Sequence, residues 1–534
     1  MENFKTKVGA ILLDTRSIQR YVFGCNQLIT NTGASYLVDA IYNEAMIDVL
    51  KHQEFQNLRL DWQMKDALSM QDDETVDCEI AYIGGGNMLV LIRDDGDILD
   101  KCRKIVGDWS TRILIEAPGL KTGAAIGYMD LTGEGFQKSL DKLYEQLKEN
   151  QNTIFPNVDL PYTGLTLECD FSGKTADVYY KKDGRLISAE VYAKILAYQN
   201  AVEYNKKLYE DVLGNEYSFC SELENIGYPD GESYISIIHI DGNNMGVKFS
   251  CCRTMFERKK LSKQVATIVK DAFKELLKSI VKEYDSYETF LDKKKLVCDG
   301  QKRLPLRPII IGGDDVTFIC PGRMGIEYAK RFIEYVNRYP LLDEDLRQRI
   351  SEHTGKAVPE TMSCCAGVAI VPAKYPFFRA YNLAEQLCGA AKVKSREEEG
   401  SYMDFAVLHG EMSGDLQKLR EQQYQGVCGN LHYGPYDVLN EKSEIALNSL
   451  LSLQKQLKSL PSSKLKEMRN VLHEDLHSQQ IFLEHCPKAS KLPNDSAELW
   501  KSFNGESVTA YIDAIEITDF IYPCETGVEN EAKN

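Results

Sequence analysis

The chain has 534 residues, of which 43% are hydrophobic and 27% are charged, a composition typical of soluble globular proteins. Its length suffices for three or four domains and excludes a small protein held together by disulfides. The 63 basic and 80 acidic residues give a net charge of −17, which excludes a protein that coats nucleic acid through its overall charge. A ligand that carries phosphate must therefore be held by a local basic patch or by bound metal.

The sequence also limits where the protein is expected to act. No apolar run reaches the roughly 18 residues of a membrane span, and residues 9–13 are too few for the core of a signal peptide. We therefore expect a cytoplasmic protein that binds no membrane. The 15 cysteines are scattered and include no C-x-x-C pair, which predicts neither a disulfide framework nor a structural zinc site.

Two parts of the chain repeat one pattern in the same order. The first begins with the apolar run VGAILLD, which ends at Asp14, and the second with YISIIHID, which ends at Asp241. Each is followed by an apolar region that glycines interrupt, YIGGGN at Gly84 and IIIGGDD at Gly312. The separation from aspartate to first glycine is 70 residues in the first part and 71 in the second, so we infer two copies of one unit.

The hydrophobic spacing around these runs predicts the same elements in each copy. Apolar residues recur at three- and four-residue steps in the helical regions. Helices are predicted over 98–115, 261–281 and 324–336, and strands over 122–131 and 362–371. Each copy therefore reads β-α-β-β-α-β, the ferredoxin-like unit with an antiparallel sheet.

The predicted fold class is α+β, with two ferredoxin-like domains, a helical middle domain and a helical C-terminal domain. The predicted ranges are 1–135 for the first copy, 136–228 for the middle domain, 229–415 for the second copy and 416–534 for the C-terminal domain. Further helices are predicted over 188–213, 445–460 and 463–483. Residues 524–534 are predicted to form a disordered tail.

The second copy carries the residues of a candidate metal site. In a ferredoxin-like sheet the first strand ends beside the hairpin turn, so we expect Asp241 next to Asp314 and Asp315. Carboxylates bind Mg²⁺ or Mn²⁺, and two such ions about 3.5–4 Å apart serve phosphoryl transfer. Asp241, Asp314 and the carbonyl of Gly242 are the predicted ligands, and Asp315 is either a third ligand or a structural carboxylate. The alternative for GGDD is an ordinary hairpin turn, but Asp241 at the end of a buried strand favours the site.

Three features of the second copy are candidates for binding phosphate. Gly312 and Gly313 let the backbone approach a nucleotide because they carry no Cβ. Lys392, at the end of a helix predicted over 381–392, can neutralise a triphosphate, although a solvated lysine explains it nearly as well. The basic stretch 293–307 leads into the hairpin and is better explained as a solvated loop.

The first copy lacks the hairpin carboxylates, because Gly86 and Asn87 stand where the second copy has two aspartates. Asp14 is left without acidic neighbours, so metal catalysis is not expected there. Gly33 and Ser35 are predicted to open a helix whose free N–H groups could bind a phosphate. The alternative is an ordinary helix start that contains serine.

Residues 473–477 (HEDLH) match the H-E-x-x-H pattern of zinc proteases, with both histidines on a predicted helix. The surrounding segment is rich in charge and offers no clear third ligand, so a solvated helix face explains it better. We therefore predict no zinc.

These motifs, in this order, resemble the large polymerase subunit of type III CRISPR effector complexes over about residues 7–410. The matching segments are SIQRYVF (17–23), GASYL (33–37), YIGGGN (82–87), DGNNMG (241–246), GGDD (312–315) and DF (404–405). The resemblance implies two palm domains that face each other, the second catalytic and the first degenerate. It implies a metal site formed by Asp241, Asp314 and Asp315, with Lys392 as a phosphate contact. The full set of candidate nucleotide-binding residues is Gly242, Asn244, Gly312, Gly313 and Lys392 in the second copy and Gly33, Ser35 and Gly85 in the first.

The chain departs from the family pattern in three places. It begins at the first palm without the histidine-aspartate nuclease domain that many members carry, so cleavage of target DNA is not expected. The usual zinc element between the palms is missing, with Cys169 isolated in the sequence. Asn243 stands where the family commonly has aspartate, which leaves one carboxylate fewer near the metals.

The leading functional hypothesis is a metal-dependent nucleotidyltransferase that uses two Mg²⁺ or Mn²⁺ ions and converts ATP to cyclic oligoadenylates. As the resemblance implies, these products would activate antiviral defence effectors, and other CRISPR subunits with guide RNA are the expected partners. One alternative is a catalytically weak scaffold or nucleotide-sensing subunit of an RNA-guided complex. A second alternative is an independent cyclic dinucleotide synthase. Broad nucleic-acid binding by the chain alone is not expected.

Overall fold

In the computed structural model, the described residues are 7–521 except 26, 64–67, 94–95, 132–133, 153–160, 221–225, 227–232, 290, 292–295, 299, 411–414 and 487–498. The predicted tail, 524–534, lies outside these residues, as do residues 293–295 of the basic stretch.

The described residues of the first copy form five strands and six helices. The strands are β1 (Lys7–Arg16), β2 (Leu58–Arg59), β3 (Cys78–Gly84), β4 (Asn87–Ile92) and β5 (Lys121–Asp130). The helices are α1 (Ile18–Phe23), α2 (Leu28–Ala40), α3 (Ile47–Lys51), α4 (Ser69–Asp72), α5 (Ile98–Glu116) and α6 (Glu134–Gln151), and a π-helical turn (Ile41–Met46) joins α2 to α3. The strands form one sheet in the order β2-β3-β4-β1-β5.

The middle segment adds two helices and three short strands. They are β6 (Val178–Tyr180), β7 (Arg185–Ile187), α7 (Ala189–Leu208), α8 (Glu210–Leu213) and β8 (Tyr217–Phe219). Helix α7 packs directly on α2, and a Cβ on Gly33 would lie 1.9 Å from the carbonyl oxygen of Lys194. Gly33 therefore allows the two helix backbones to touch.

The second copy repeats the plan of the first. Its strands are β9 (Tyr234–Gly242), β10 (Val297–Cys298), β11 (Gln301–Leu304), β12 (Arg307–Gly312), β13 (Asp315–Pro321), β14 (Cys364–Pro372) and β15 (Tyr402–Val407). Its helices are α9 (Met245–Ser250), α10 (Met255–Lys282), α11 (Gly325–Val336), α12 (Glu344–Thr354) and α13 (Phe377–Glu397), with 3₁₀ turns at Tyr284–Thr289 and Gly322–Met324.

The described residues of the C-terminal region are helical with five short strands that the sequence did not predict. The helices are α14 (Leu416–Gln423), α15 (Leu447–Leu457), α16 (Ser462–Val471), α17 (Leu476–His485) and α18 (Tyr511–Glu516). The strands β16 (Gln425–Gly426), β17 (Gly429–Asn430), β19 (Lys501–Phe503) and β20 (Glu506–Val508) form a small sheet, whereas β18 (Tyr436–Asp437) joins the sheet of the second copy.

Both sheets have the strand order of a ferredoxin-like unit, which confirms the predicted α+β fold with two copies. The hairpin strands and the first and last strands of the unit lie in the order β3-β4-β1-β5 in the first copy and β12-β13-β9-β14 in the second, all antiparallel. In the second sheet β15 and β18 extend the edge. β1 and β9 lie between strands on both sides, which explains their long apolar runs.

The helix predicted over 463–483 is two helices, because the chain leaves α16 before residue 475. Asp475 caps α17 by accepting a hydrogen bond from the Ser478 amide. His473 lies in the break, and its two ring nitrogens face the carbonyl oxygens of Arg469 and Gln423 at 2.9 and 3.1 Å. The two histidines of the H-E-x-x-H match therefore do not share one continuous helix.

The two copies contact each other through cations at the start of α10. Arg258 donates to the Tyr144 hydroxyl of α6 at 2.6 Å and lies near the rings of Tyr82 and Tyr144. The ammonium of Lys259 lies 3.7 Å from the carboxylate of Glu79, with both side chains buried. At a second point of contact, the ring of Phe23 stacks on that of Tyr381 with centroids 3.8 Å apart. These contacts fix the hairpin turn of one copy against that of the other.

The C-terminal region is joined to the second copy by a buried network of charged groups. Asp404 of β15 accepts from Arg420 at 2.8 Å, and the ring nitrogens of His432 lie 3.2 Å from Asp404 and 2.9 Å from Asp513. The hydroxyl of Tyr436 also donates to Asp513 at 2.5 Å. Because both ring nitrogens of His432 face carboxylates, the charged form of the ring matches its surroundings.

No helix among the described residues is both long and apolar enough to cross a membrane.

We predict that His432 makes stability fall as pH rises. Burial and Arg420 oppose a charged ring, but Asp513 and Asp404 outweigh them, and the pKa of His432 is raised. A raised pKa stabilises the folded protein below the unfolded-state value of about 6.5, and this contribution is lost as pH rises through the folded-state pKa. His432→Gln should therefore lower the thermal unfolding midpoint most at pH 5.5 and least at pH 9, with a loss of about 3 kcal/mol at the acidic end.

Midpoints measured by calorimetry between these pH values test this expectation. His353→Gln, at an exposed position of α12, is the matched control and should change little. A deficit of His432→Gln that grows toward alkaline pH would contradict the charged-ring interpretation.

Candidate functional site

Asp241 and the aspartates of the second hairpin meet where β9 ends, as predicted. Gly312 pairs with Asp315 across the hairpin, so the turn consists of Gly313 and Asp314. Gly313 has a φ of 60°, a backbone conformation that glycine adopts without strain, and two-residue turns of this kind favour glycine there. The turn projects Asp314 toward the end of β9.

Asp314 lies against Asp241 and the backbone of Gly242. A Cβ on Gly242 would lie 2.8 Å from the Cβ of Asp314, so only glycine fits at this position without displacing the carboxylate. Burial, and then the charge and hydrogen bond of Asp241, raise the pKa of Asp314 to about 7. The fold therefore holds two carboxylates together against their mutual repulsion.

Asp315 begins β13 next to the end of β9, and His239 of β9 lies beside it. Its Oδ1 is buried, has no hydrogen-bond partner, and lies 3.4 Å from Nδ1 of His239. Burial, followed by the charges of Asp241 and Glu385, raises the pKa of Asp315 to about 8. Burial lowers the pKa of His239, which favours the neutral ring. Sequence analysis missed His239, although it stands two residues before Asp241 and hence on the same face of β9.

Lys392 is brought to the carboxylates by α13. Its ammonium group forms an ion pair with Oδ2 of Asp241, and Asp241 raises the pKa of Lys392 against the opposing effect of burial. The prediction that Lys392 lies at the end of this helix is wrong, because the helix continues to Glu397. Arg396 follows one turn later, is exposed, and lines the same cavity. Sequence analysis missed Arg396, although its i+4 spacing from Lys392 was a usable signal.

A cavity of about 290 Å³ opens beside these groups. It is lined by Asp241, Gly242, Asn243, Asn244, Met245, Gly246, Asp314, Lys392, Ser395 and Arg396. Asn244 has a φ of 53° and begins α9. The side chain of Asn243 is buried and donates to the carbonyl of Gly400 at 2.9 Å, a bond that an ionised aspartate could not donate.

A second cavity, of about 230 Å³, lies between the two hairpins. The turns approach so closely that a Cβ on Gly313 would lie 3.4 Å from the Cα of Gly85. The lining combines both copies: Tyr82, Gly84, Gly85, Asn87, Met245, Phe249, Arg258, Ser262, Val265, Ala266, Gly313 and Asp314. Two of its polar atoms, Asn87 Oδ1 and Arg258 Nε, are buried without a hydrogen-bond partner. Asp314 therefore borders both cavities.

The first copy has no comparable set of carboxylates. Asp14 accepts a hydrogen bond from Gln151 Nε2 at 2.7 Å and pairs with Asn87 across the strands. Both turn residues, Gly85 and Gly86, have positive φ, whereas in the second hairpin this is true only of the first turn residue. The glycine at position 86 is thus required by its turn and does not merely replace an acid.

The prediction that Gly33 and Ser35 open a helix is wrong. Helix α2 begins at Leu28, so both residues lie inside it and their N–H groups point along the helix to earlier carbonyls. Gly33 is buried against α7. The physical reason for the error is that a glycine used for close helix packing resembles one used at a helix start.

Two of the three described cations of the basic stretch, Lys302 and Arg307, are engaged by groups of the protein. Lys302 pairs with Glu216 at 2.9 Å and lies over the ring of Tyr217. Arg307 is buried and donates to the carbonyl of Cys220 at 2.9 Å. These two side chains join the middle segment to the second copy.

Among the described residues no group of three or more His, Cys, Asp or Glu side chains is arranged so that it could hold a metal ion. The carboxylates nevertheless suit a divalent cation. Asp241 and Asp314 are in contact with a repulsion that a cation would relieve, and the buried Oδ1 of Asp315 has no partner. The donors are oxygens, the type that Mg²⁺ and Mn²⁺ prefer.

Residues 234–399 match the family model of the Cas10/Cmr2 second palm domain. This match confirms, for that part of the chain, the resemblance seen in the sequence. No curated protein matches the chain in sequence.

Three solved structures illustrate the structural comparisons. Csm1 in T. onnurineus aligns at 12% identity with a TM-score of 0.47, covering 97% of this chain and 70% of that one. A Csm1-Csm4 cassette in complex with cA3 aligns at 10% identity with a TM-score of 0.48, covering 97% and 69%. A Csm1-Csm4 subcomplex of the type III-A CRISPR-Csm interference complex aligns at 12% identity with a TM-score of 0.47, covering 97% and 70%.

We predict that ATP, the substrate expected from the sequence, binds in this cavity and that Arg396→Ala weakens its binding about tenfold, because the variant lacks a cation that can bond to phosphate oxygens. Titration of the full chain with ATP in a calorimeter measures the effect. Arg379→Ala, an exposed position on the same helix, is the matched control with the same loss of charge. Equal losses in both variants would show that only the overall charge matters.

Proposed function

We propose that this chain is a nucleotidyltransferase that joins ATP into cyclic oligoadenylates. The observation that carries the proposal is the contact of Asp241 with Asp314, with Asp315 beside them, at the point where two hairpins meet. Close carboxylates with a facing lysine serve phosphoryl transfer, in which catalysis consists of positioning and charge neutralisation. The family match of residues 234–399 supports this reaction class.

Two Mg²⁺ or Mn²⁺ ions would be held by Asp241, Asp314 and the carbonyl of Gly242, with Asp315 as a third carboxylate or a structural one. Bound there, they would offset negative charge on the triphosphate and the reacting oxygens. The carboxylates themselves fix where that positive charge can be placed.

Lys392 and Arg396 would bind the triphosphate of the first ATP in the cavity at the end of β9. Lys392 is already paired with Asp241, so a divalent cation at Asp241 would free its ammonium group for the phosphates. Gly312 and Gly313 let the backbone lie close to the nucleotide, and Asn244 forms the facing wall. Ser35 and Gly33 take no part in this arrangement.

The second ATP would occupy the cavity between the hairpins, where Gly85 faces Gly313. Its 3′ oxygen forms a bond to the α-phosphorus of the first ATP, and the bond from that phosphorus to the oxygen bridging the α and β phosphates breaks. Pyrophosphate leaves with the bond electrons, and the hydroxyl proton passes to water. Repetition of the step lengthens the oligoadenylate. A last step in which the two ends of one oligoadenylate react with each other gives a cyclic product.

Under this proposal the protein acts with other CRISPR effector subunits and a guide RNA. The motif resemblance supports ATP as substrate and this context. The acidic overall charge suits a subunit that leaves guide binding to its partners.

The ion pair between Lys392 and Asp241 favours a second candidate, a scaffold or nucleotide-sensing subunit. In that case the lysine neutralises the carboxylate permanently, and nucleotide binds without reaction. A cyclic dinucleotide synthase would use the same carboxylates and differ only in its product.

We predict that Asp314→Ala combined with Asp315→Ala lowers product formation at least about 100-fold. The fold should survive, because removing two buried carboxylates relieves repulsion. Mass spectrometry of products from labelled ATP with Mg²⁺ or Mn²⁺, with and without the RNA-guided complex, provides the measurement. Asp170→Ala, at an exposed position, is the control.

Absence of any product from the unmodified protein under all of these conditions would contradict the transferase proposal. The scaffold or nucleotide-sensing subunit would then be the remaining candidate function. A cyclic dinucleotide as sole product would replace the oligoadenylate by the second alternative.

A further inference from the structure

Helix α6 of the first copy corresponds to α13 of the second, which extends the repeat by one element. Helix α6 begins four residues after the end of β5, and α13 begins five residues after the end of β14. Gly123 of β5 pairs with Asp14, and Cys365 of β14 pairs with Asp241. Counted from these residues, Gln151 follows after 28 positions and Lys392 after 27.

The side chains at these two positions make the same contact. Gln151 Nε2 donates to Oδ2 of Asp14 at 2.7 Å, and Lys392 Nζ donates to Oδ2 of Asp241. In the second copy three carboxylates converge, and a cation faces them. In the first copy a single carboxylate remains, and a neutral amide faces it.

The surroundings of Gln151 are built to keep it in place. A Cβ on Gly123 would lie 2.4 Å from Cγ of Gln151, so the strand leaves room for this side chain only because it has glycine there. Arg16 donates to the backbone carbonyl of Gln151 at 2.6 Å and to Asn152 Oδ1 at 3.2 Å, which satisfies acceptors at the end of α6. The last turn of α6 is thereby fixed to β1 and β5.

Tyr144 stands seven residues before Gln151, which is two helical turns, so the two side chains lie on the same side of α6. The Tyr144 hydroxyl accepts from Arg258 at 2.6 Å and lies 3.4 Å from the hydroxyl of Tyr82. Arg258 in turn lines the cavity between the hairpins, where its Nε has no partner. A shift of α6 at Gln151 would therefore be transmitted to a wall of that cavity.

We propose that Gln151, in the place equivalent to Lys392, is a positioning residue that sets Arg258 at the cavity between the two copies by holding α6 on Asp14. Its role for ATP rests on the proposed function, whereas its role in holding Arg258 does not. Asp14, which has no hairpin carboxylates beside it, thus serves as an anchor for a helix.

Two variants of the full chain test this role. Gln151→Ala removes the contact and should weaken ATP binding roughly three- to tenfold, as expected for one lost hydrogen bond. It should also increase hydrogen exchange in residues 255–262. Gln151→Lys recreates the pair of the second copy and should behave as the unmodified protein in both measurements. Gln146→Ala, at an exposed position of the same helix, should change neither.

Tyr144→Phe tests the route of transmission. In that background, Gln151→Ala should have little further effect on ATP binding or exchange, because the link to Arg258 is already broken.

The proposal is overturned if Gln151→Ala matches the unmodified protein, if Gln151→Lys is as impaired as Gln151→Ala, or if the effect persists in full beside Tyr144→Phe. Failure of Gln151→Ala to fold would also overturn it in favour of a purely structural contact. If the unmodified chain binds no ATP, the proposed function fails, and the exchange measurements alone decide the role of Gln151.

Discussion

The structure depends on the insertion of two cations, Arg258 and Lys259, from the second copy into the first. Protein groups replace water around both cations. The ammonium of Lys259 lies near the carboxylate of the buried Glu79, and the guanidinium of Arg258 lies among aromatic rings. Removing one member of such a buried pair leaves an uncompensated charge, so these contacts allow little freedom in how the copies meet. Because they fix the orientation, Gly85 and Gly313 can face each other at backbone distance.

The carboxylates of the second copy illustrate how a fold imposes an unfavourable arrangement of charge. β9 and the hairpin are held by strand pairing and a common core, so Asp241 and Asp314 cannot separate. Burial, and after it the charge of Asp241, raises the pKa of Asp314, and Lys392 pairs with Asp241. Such repulsion between carboxylates does not arise in the first copy, because its hairpin carries Gly86 and Asn87 and the neutral Gln151 lies opposite Asp14.

Much of the fold was predictable because the sequence repeats one pattern, so the elements predicted in one copy could be compared with those predicted in the other. The spacing of Asp241 from Gly312 implied a hairpin next to the first strand, and the structure has that arrangement. The role of Gly33 was not predictable, because its sequence context does not distinguish a helix start from a close contact with α7. The break between α16 and α17, before Asp475, was not predicted either, because polar residues occur both at helix caps and within helices.

The sequence by itself determined the two ferredoxin-like units, the loss of acids from the first, and the convergence of Asp241, Asp314 and Asp315, because these follow from periodicity and from pairing within one sheet. Only the tertiary structure decided that Arg396 shares a cavity with Lys392, that His239 faces Asp315, and that the two glycine turns meet. Contacts between copies, and between helices distant in sequence, depend on packing and buried charge. Local spacing can place Arg396 near Lys392 and His239 near Asp241, but no local pattern of residues encodes the contacts between copies.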